Sequence, residues 1–219
     1  MLGHVLLNKL NDLDTYDVFD ITRNKENRSN NFQCDVTSFD SLFEIINQIK
    51  PNYIINCVGV LIKDSLSDPF SAININALLP HKLVQFSEVV NAKLIHISTD
   101  CVFDGSKGSY IETDKKTAQD IYGLSKSLGE IKDSKNLTLR TSIIGPELKD
   151  KGEGLFSWFL SQNGEVNGYT ESIWGGVTTM VLSDIIIKCI KEDYIGLLHV
   201  TNRIPISKFD LLNLIKVNF

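Results

Sequence analysis

The chain has no Cys-x-x-Cys pair. Its four cysteines, Cys34, Cys57, Cys101 and Cys189, are scattered over the whole length, and none of its four histidines stands at ligand spacing from another candidate ligand. That argues against zinc or any other metal site, and the cysteines are expected to act as small buried hydrophobes. No apolar run approaches the ~18 residues that span a bilayer, and no signal-like leader opens the sequence. A soluble, cytoplasmic protein in a reducing compartment is the expectation. Positive charge is also scarce: 22 Lys and Arg against 27 Asp and Glu give a net charge of -5 and a pI near 5.4. Binding to nucleic acid or to an anionic membrane would need a basic face. Small molecules are therefore the expected partners, and no internal repeat or low-complexity tract points elsewhere.

What is present is alternation. "GHVLLNKLNDL" has apolar residues at helical spacing, "YDVFDI" reads as a strand, and "TRNKENRSNN" as a loop. "SFDSLFEIINQIKP" is a second helix, with Ser38 as N-cap and Pro51 just past its end, and "YIINCVG" a buried strand. A long helical stretch from Asp68 to Asn91 is interrupted by Pro80, which predicts a kink or a break. "KLIHIS", "IYGLSKSLGEI" and "LTLRTSII" continue as strand, helix and strand. At 219 residues and 42% hydrophobic, the pattern predicts an α/β fold, a doubly wound parallel sheet of Rossmann type covered on both faces. Beyond Pro146 the regularity loosens before a helix near "MVLSDIIIKCIK", a strand "GLLHVT" and an amphipathic "SKFDLLNLIKV". The expected division is a dinucleotide-binding domain over 1–146 and a smaller substrate-binding portion over 147–219.

Ligands of such sheets sit beyond the carboxyl ends of the strands. Gly59, Thr99 with Asp100, and Gly145 with Pro146 all fall there. In "YGLSK", Tyr122 and Lys126 are four residues apart, so on a helix they share a face about one turn apart. An unperturbed tyrosine is a poor acid or base near neutrality, and a neighbouring ammonium favours its phenolate. A third partner, a hydroxyl able to reach the reacting oxygen, is offered by Ser98 and Thr99; strand alternation lets only one of them face the cleft.

The blocks "HISTDCVFDGSKGSY" and "YGLSKSLGE", with "DVTSFDSL", "PNYIINCVGV", "NINALLPHKL" and "LRTSIIGPE", resemble the extended short-chain dehydrogenase/reductases, and within them the dTDP-4-dehydrorhamnose reductase branch of nucleotide-sugar enzymes. The resemblance implies that Tyr122 protonates a sugar ketone oxygen as hydride arrives, that Lys126 lowers the tyrosine pKa and binds the nicotinamide ribose, and that Thr99, the hydroxyl it selects, polarises the carbonyl. It places Asp35 and Val36 against adenine, Asn56, Cys57 and Val58 on the floor of the cofactor cleft, and Asn76 on the long helix beside it. Thr99, Asp100, Trp174 and Thr178 become the substrate-binding candidates, with "WGGVTT" lining the cleft; core packing is the competing role for Trp174 and the expected one for Trp158. At the end of the second strand Asp20 would favour NAD(H) and Arg23 NADP(H); the position of "TR" in "FDITRNK" favours Arg23 and hence NADP(H), with NAD(H) possible. Cys101 stands where this branch carries tyrosine, which leaves the substrate open. "MLGHVLL" resembles the end of a glycine-rich phosphate turn with Gly3 as its last glycine, so the sequence is expected to be a fragment lacking the first strand, with weak cofactor binding and poor stability.

The implied function is NADPH-dependent reduction of a 4-keto-6-deoxy nucleotide sugar for glycan or polysaccharide precursors, with a homodimer left open. A nucleotide-sugar epimerase or dehydratase, and a non-catalytic subunit resembling the regulatory subunit of methionine adenosyltransferase, are the alternatives.

Overall fold

The computed structural model describes residues 1–148 and 152–219. Helix α1 (Leu2–Asn11) carries Leu2, Val5, Leu6 and Leu10 on one buried face. Two short parallel strands, β1 (Asp20–Thr22) and β2 (Asn31–Gln33), precede α2 (Phe39–Ile49). Ser38 takes the N-cap position of α2 as expected, but its side chain makes no capping hydrogen bond. Strand β3 (Tyr53–Asn56) leads to α3 (Ile62–Ser67) and α4 (Pro69–Ala72), a π-helical turn over Ile73–Leu78, and α5 (Leu79–Val89). Strand β4 (Lys93–Thr99), a 3₁₀ turn (Asp100–Val102), α6 (Ile121–Leu128) and β5 (Leu137–Thr141) come next. The remaining elements are β6 (Ile143–Ile144), α7 (Leu155–Leu160), β7 (Ile173–Trp174), β8 (Val177–Thr178), α8 (Thr179–Lys191), β9 (Gly196–Val200), β10 (Ile206–Ser207) and α9 (Lys208–Asn218).

The main sheet has the order β3-β4-β5-β9 and is wholly parallel. Strand alternation assigns its faces: Ile95, Leu137 and Leu139 join α1 and α8 in one core cluster, whereas Leu94 joins Leu42, Ile46, Leu79 and Leu83 in a second. Helices thus cover both faces, as the sequence pattern predicts. After residue 146 the chain divides its contacts. Strand β9 and helix α8 return to the main sheet and its core, while α7 and α9 build a third cluster around Ile144, Leu211, Leu212 and Ile215. The expected continuous strand "LTLRTSII" is broken at Ser142, whose carbonyl accepts the Val177 N–H at 2.9 Å and so turns β6 onto β8 instead.

The break expected at Pro80 takes a specific form. Pro80 sits in the first turn of α5 and has no N–H to offer the carbonyl of Asn76, four residues back; the preceding helix widens into a π turn at Ile73–Leu78. The Asn76 carbonyl faces Gly129, just past the end of α6, so closely that a side-chain carbon on Gly129 would collide with it. Gly123 is confined in the same way, because a Cβ there would stand 2.6 Å from that of Ala118. The two glycines bracket Lys126 and let α6 lie against its neighbours. Gly129→Ala is expected to destabilise the protein by at least about 2 kcal/mol, since backbone rather than a flexible side chain must give way; an unchanged thermal midpoint would refute this packing account.

Candidate active site

Helix α6 begins at Asp120, whose carboxylate accepts the Gly123 N–H at 2.9 Å, a side-chain cap that fixes the first turn and with it Tyr122. One turn on, Lys126 is 5% exposed, and its Nζ donates to the Ile97 carbonyl of β4 at 2.7 Å. Burial pulls its pKa down to about 8, with the charges of Glu130 and Cys57 acting in the opposite direction. Tyr122 is half-buried and its phenol is pushed up to about 12, chiefly by desolvation; the Thr99 side chain works against the shift, and Cys101, Asp100 and Asp120 add to it. Lys126 is thus directed at Ile97 rather than at the phenol, and Tyr122 is fully protonated near neutral pH.

The two candidate hydroxyls part at the end of β4 as strand alternation requires. Ser98 Oγ turns to Glu130 Oε1 at 2.9 Å, while Thr99, 6% exposed, has its Oγ1 accepting the Cys101 N–H at 3.1 Å. Thr99 therefore also caps the 3₁₀ turn that carries Asp100, which is exposed. Cys101 is half-buried beside them, and burial together with Asp100 raises its thiol pKa, which removes the thiolate needed for nucleophilic chemistry.

The cofactor candidates cluster at the ends of β1, β2 and β3. Asn56 is buried, accepts the Val58 N–H at 3.1 Å and donates through Nδ2 to His96 Nδ1 at 3.2 Å. That leaves His96 Nε2 without a partner among the described residues, on a ring whose pKa burial holds well below the usual value. Cys57 has its thiol pushed up to about 12 by desolvation and lies beside Gly3, at 3.7 Å from where a Cβ on that glycine would stand. Val58 is exposed at the strand end. Asn76 ties the loop after β3 to α6: its Oδ1 accepts the Val60 N–H at 2.9 Å, and its Nδ2 donates to the Val60 carbonyl at 3.0 Å and to Ser125 Oγ at 3.2 Å. Asp35 closes an Asx turn on Thr37, which lowers its pKa, and feels the charge of Arg23; Val36 packs on the second core cluster. Asp20 is engaged by Arg28 Nη2 at 2.6 Å and Asn31 Nδ2 at 2.8 Å. Arg23 is exposed and makes no ion pair among the described residues.

The substrate-side candidates lie apart from one another in character. Trp174 is half-buried, with Nε1 donating to Ser142 Oγ at 2.9 Å, which fixes the indole at the break between β5 and β6. Thr178 caps α8 by accepting the Val181 N–H at 3.2 Å. Trp158, expected in the core, is 41% exposed, because the short α7 packs through Leu155, Phe156 and Phe159 and turns its indole outward. Sequence reasoning gave no role to Glu130 and Arg140, although both stand in the motif blocks. The structure joins them as a buried bidentate pair, Nε to Oε1 at 2.6 Å and Nη2 to Oε2 at 2.8 Å. An arginine inside the apolar strand "LTLRT" and an acid four residues after Lys126 were the available signals.

Over residues 1–218 the sequence matches the family described as RmlD substrate binding domain. It is similar to the dTDP-4-dehydrorhamnose reductase of Aggregatibacter actinomycetemcomitans, 32% identical over 193 residues that make up 81% of this chain and 65% of that protein. Among solved structures, a hypothetical dTDP-4-dehydrorhamnose reductase from Sulfolobus tokodaii superposes with a TM-score of 0.84 at 28% identity, covering 100% of this chain and 78% of that one. The dTDP-4-dehydrorhamnose reductase of Bacillus anthracis, solved in complex with NADP, gives 0.82 at 26% identity, covering 99% and 76%. This chain therefore spans just under two thirds of the length of its curated relative. With the match running through nearly every residue and the fold shared along its whole length, the chain belongs to the RmlD substrate binding domain family.

Proposed function

We propose that this chain carries the catalytic core of an NADPH-dependent reductase that converts the ketone of a 4-keto-6-deoxy nucleotide sugar to an alcohol, for glycan or polysaccharide precursors. The observation that carries the reading is a buried ammonium, Lys126, one helical turn from a protonated tyrosine that senses Thr99 at the carboxyl end of the sheet. The relatives named as reductases, one solved with NADP, support it. We assign residues 1–146 to the dinucleotide-binding part, corrected by the fold to include α8 and β9, which complete its sheet and core, and the rest of 147–219 to the substrate-binding part.

The residues present fit a nicotinamide dinucleotide. Helix α1 has no acid in its first turn, which suits an anionic pyrophosphate beside Gly3. Asp35 and Val36 would border adenine, Asn56, Cys57 and Val58 the cleft floor, and Asn76 its far wall. Arg23, close to Asp35, would meet a 2′-phosphate, while Asp20 is already engaged by Arg28 and Asn31. This favours NADP(H) over NAD(H). Bound there, the cofactor supplies the hydride.

Tyr122 supplies the proton. With its pKa at about 12 the phenol holds its proton near pH 7 and can pass it to an alkoxide forming on the sugar. Thr99 offers its hydroxyl to the same oxygen. Lys126 has used one N–H on Ile97 and keeps two for a ribose hydroxyl; its charge also eases loss of the phenolic proton as the reaction proceeds. Trp174 and Thr178, with Asp100, would border the sugar. Four unpaired cysteines suit a reducing cytoplasm. Exposed Leu66, Phe70, Ile73, Leu124 and Leu128 on adjoining helices suit a homodimer.

The test is NADPH oxidation with a panel of 4-keto-6-deoxy nucleotide sugars. Because cofactor binding is expected to be weak, turnover is expected at saturating NADPH, and there Tyr122→Phe should lower kcat by about 10²–10⁴-fold with the parent's NADPH affinity retained; a variant as active as the parent would remove Tyr122 from the chemistry. Product formed without net NADPH consumption would point instead to an epimerase.

Arg23→Ala should weaken NADPH binding by roughly 10-fold or more relative to NADH, as measured by fluorescence titration of both cofactors; an unchanged ratio would place the 2′-phosphate elsewhere.

Lys126 is depressed from 10.5 to about 8, so the unfolded chain holds the extra proton between those values and stability rises with pH across that window. Below pH 8 the buried ammonium opposes folding by roughly 3 kcal/mol. Lys126→Met should therefore raise the thermal midpoint at pH 7, lose that advantage as pH climbs past 8 toward 10.5, and abolish turnover. A midpoint difference that does not vary with pH would contradict the assignment.

A further inference from the structure

Glu130 lies four residues after Lys126 and has no part in the chemistry described above. Its carboxylate is saturated by donors from three segments. Oε1 accepts from Arg140 Nε at 2.6 Å and Ser98 Oγ at 2.9 Å, and Oε2 accepts from Arg140 Nη2 at 2.8 Å and forms an ion pair with Lys116 Nζ at 3.1 Å. The Glu130 and Arg140 side chains are only 3% and 5% exposed. Arg140 is held in turn: Nη1 donates to His199 Nε2 at 3.1 Å, and its guanidinium lies 5.1 Å from the centre of the Phe103 ring. Ser98, Arg140 and His199 stand side by side on β4, β5 and β9, so the cluster runs as one row across the sheet.

A buried ion pair seldom stabilises a fold more than apolar residues of the same size would, because both ions must be stripped of water. Stability alone therefore gives little reason for this pair, and its location suggests another. Ser98 immediately precedes Thr99, so the hydrogen bond to Glu130 holds the end of β4 from the face opposite Thr99. Glu130, four residues on in the same segment, is also the largest charge opposing the desolvation of Lys126; Cys57, held protonated, neutral His96 and the protonated Tyr122 one turn back are the other titratable groups near that ammonium. Arg140 and Lys116 contact the carboxylate and partly offset its charge without removing it.

We propose that Glu130, clamped by Arg140, is a positioning residue for this site: through Ser98 it fixes the Thr99 end of β4, and its charge keeps the buried Lys126 ammonium protonated at working pH. This rests on the reductase reading, and the test separates the two. The chain is prepared with ¹³C at lysine Cε, the Lys126 resonance is identified by its loss in Lys126→Met, and its titration is followed from pH 6 to 11 in the parent, in Glu130→Gln and in the double variant Glu130→Met, Arg140→Met. The double variant leaves no buried ion unpaired at that position and should fold.

In both variants the Lys126 midpoint is expected to fall by about one pH unit. Turnover of the sugar ketone should drop at least about 10-fold, with the alkaline limb of its pH profile moved down in step. A double variant that keeps the parent's Lys126 midpoint and turnover would reduce the pair to packing and overturn the proposal. So would one that fails to fold, or one whose midpoint moves while turnover stays. The titration needs neither cofactor nor substrate: a parent chain with no turnover at saturating NADPH would sink the reductase reading while the midpoints still decide what Glu130 does to Lys126.

Discussion

An ammonium buried at the end of a parallel sheet has lost most of its water, and the surrounding structure must answer for it. The Ile97 carbonyl takes one of Lys126's protons, and the Glu130 charge opposes the remaining desolvation. Two glycines let α6 lie close against Cys101 and Ala118 at one end and Asn76 and Pro80 at the other. Asn76, through Val60 and Ser125, ties the loop after β3 to the same helix. These contacts satisfy the lysine only in part. Its pKa of about 8 means that the site holds a charge the fold alone would rather release.

Much of this was legible in the sequence, for reasons that can be named. The alternation of "KLIHIS" and "LTLRT" with helical stretches reports a buried parallel sheet, and the period of two separates Ser98 from Thr99 without any knowledge of what lies on either side. The period of the helix does the same for Tyr122 and Lys126. These are local signals set by backbone geometry. The competition between Asp20 and Arg23 was also visible, and position alone favoured Arg23; that Arg28 and Asn31 engage Asp20 was not, because their approach depends on how the loop after β1 folds back.

What was hidden depends on contacts between distant segments. Glu130 and Arg140 are ten residues apart in sequence, yet their pairing also needs Ser98, Lys116 and His199 brought in from elsewhere. Thr178 reads as a cleft residue but serves first as a helix cap, a role its place before "TMVLSDIII" permits. Trp158 reads as core because tryptophan is large and apolar, yet α7 has only six residues and its other apolar side chains take the inward positions. Lys126 was expected to lower the tyrosine pKa. Instead, burial governs Tyr122, and the lysine leans toward a backbone carbonyl.

The π turn before α5 has a further meaning as a gauge of length. A wide turn stores an additional residue between Ala72 and Leu79 without rotating the helix beyond it, so Leu79, Leu83 and Ser87 still face inward. The strand-side and solvent-side registers of α5 are therefore insulated from changes in length upstream. Helix α5, which backs β4, keeps its phase across the wide turn that follows α3 and α4.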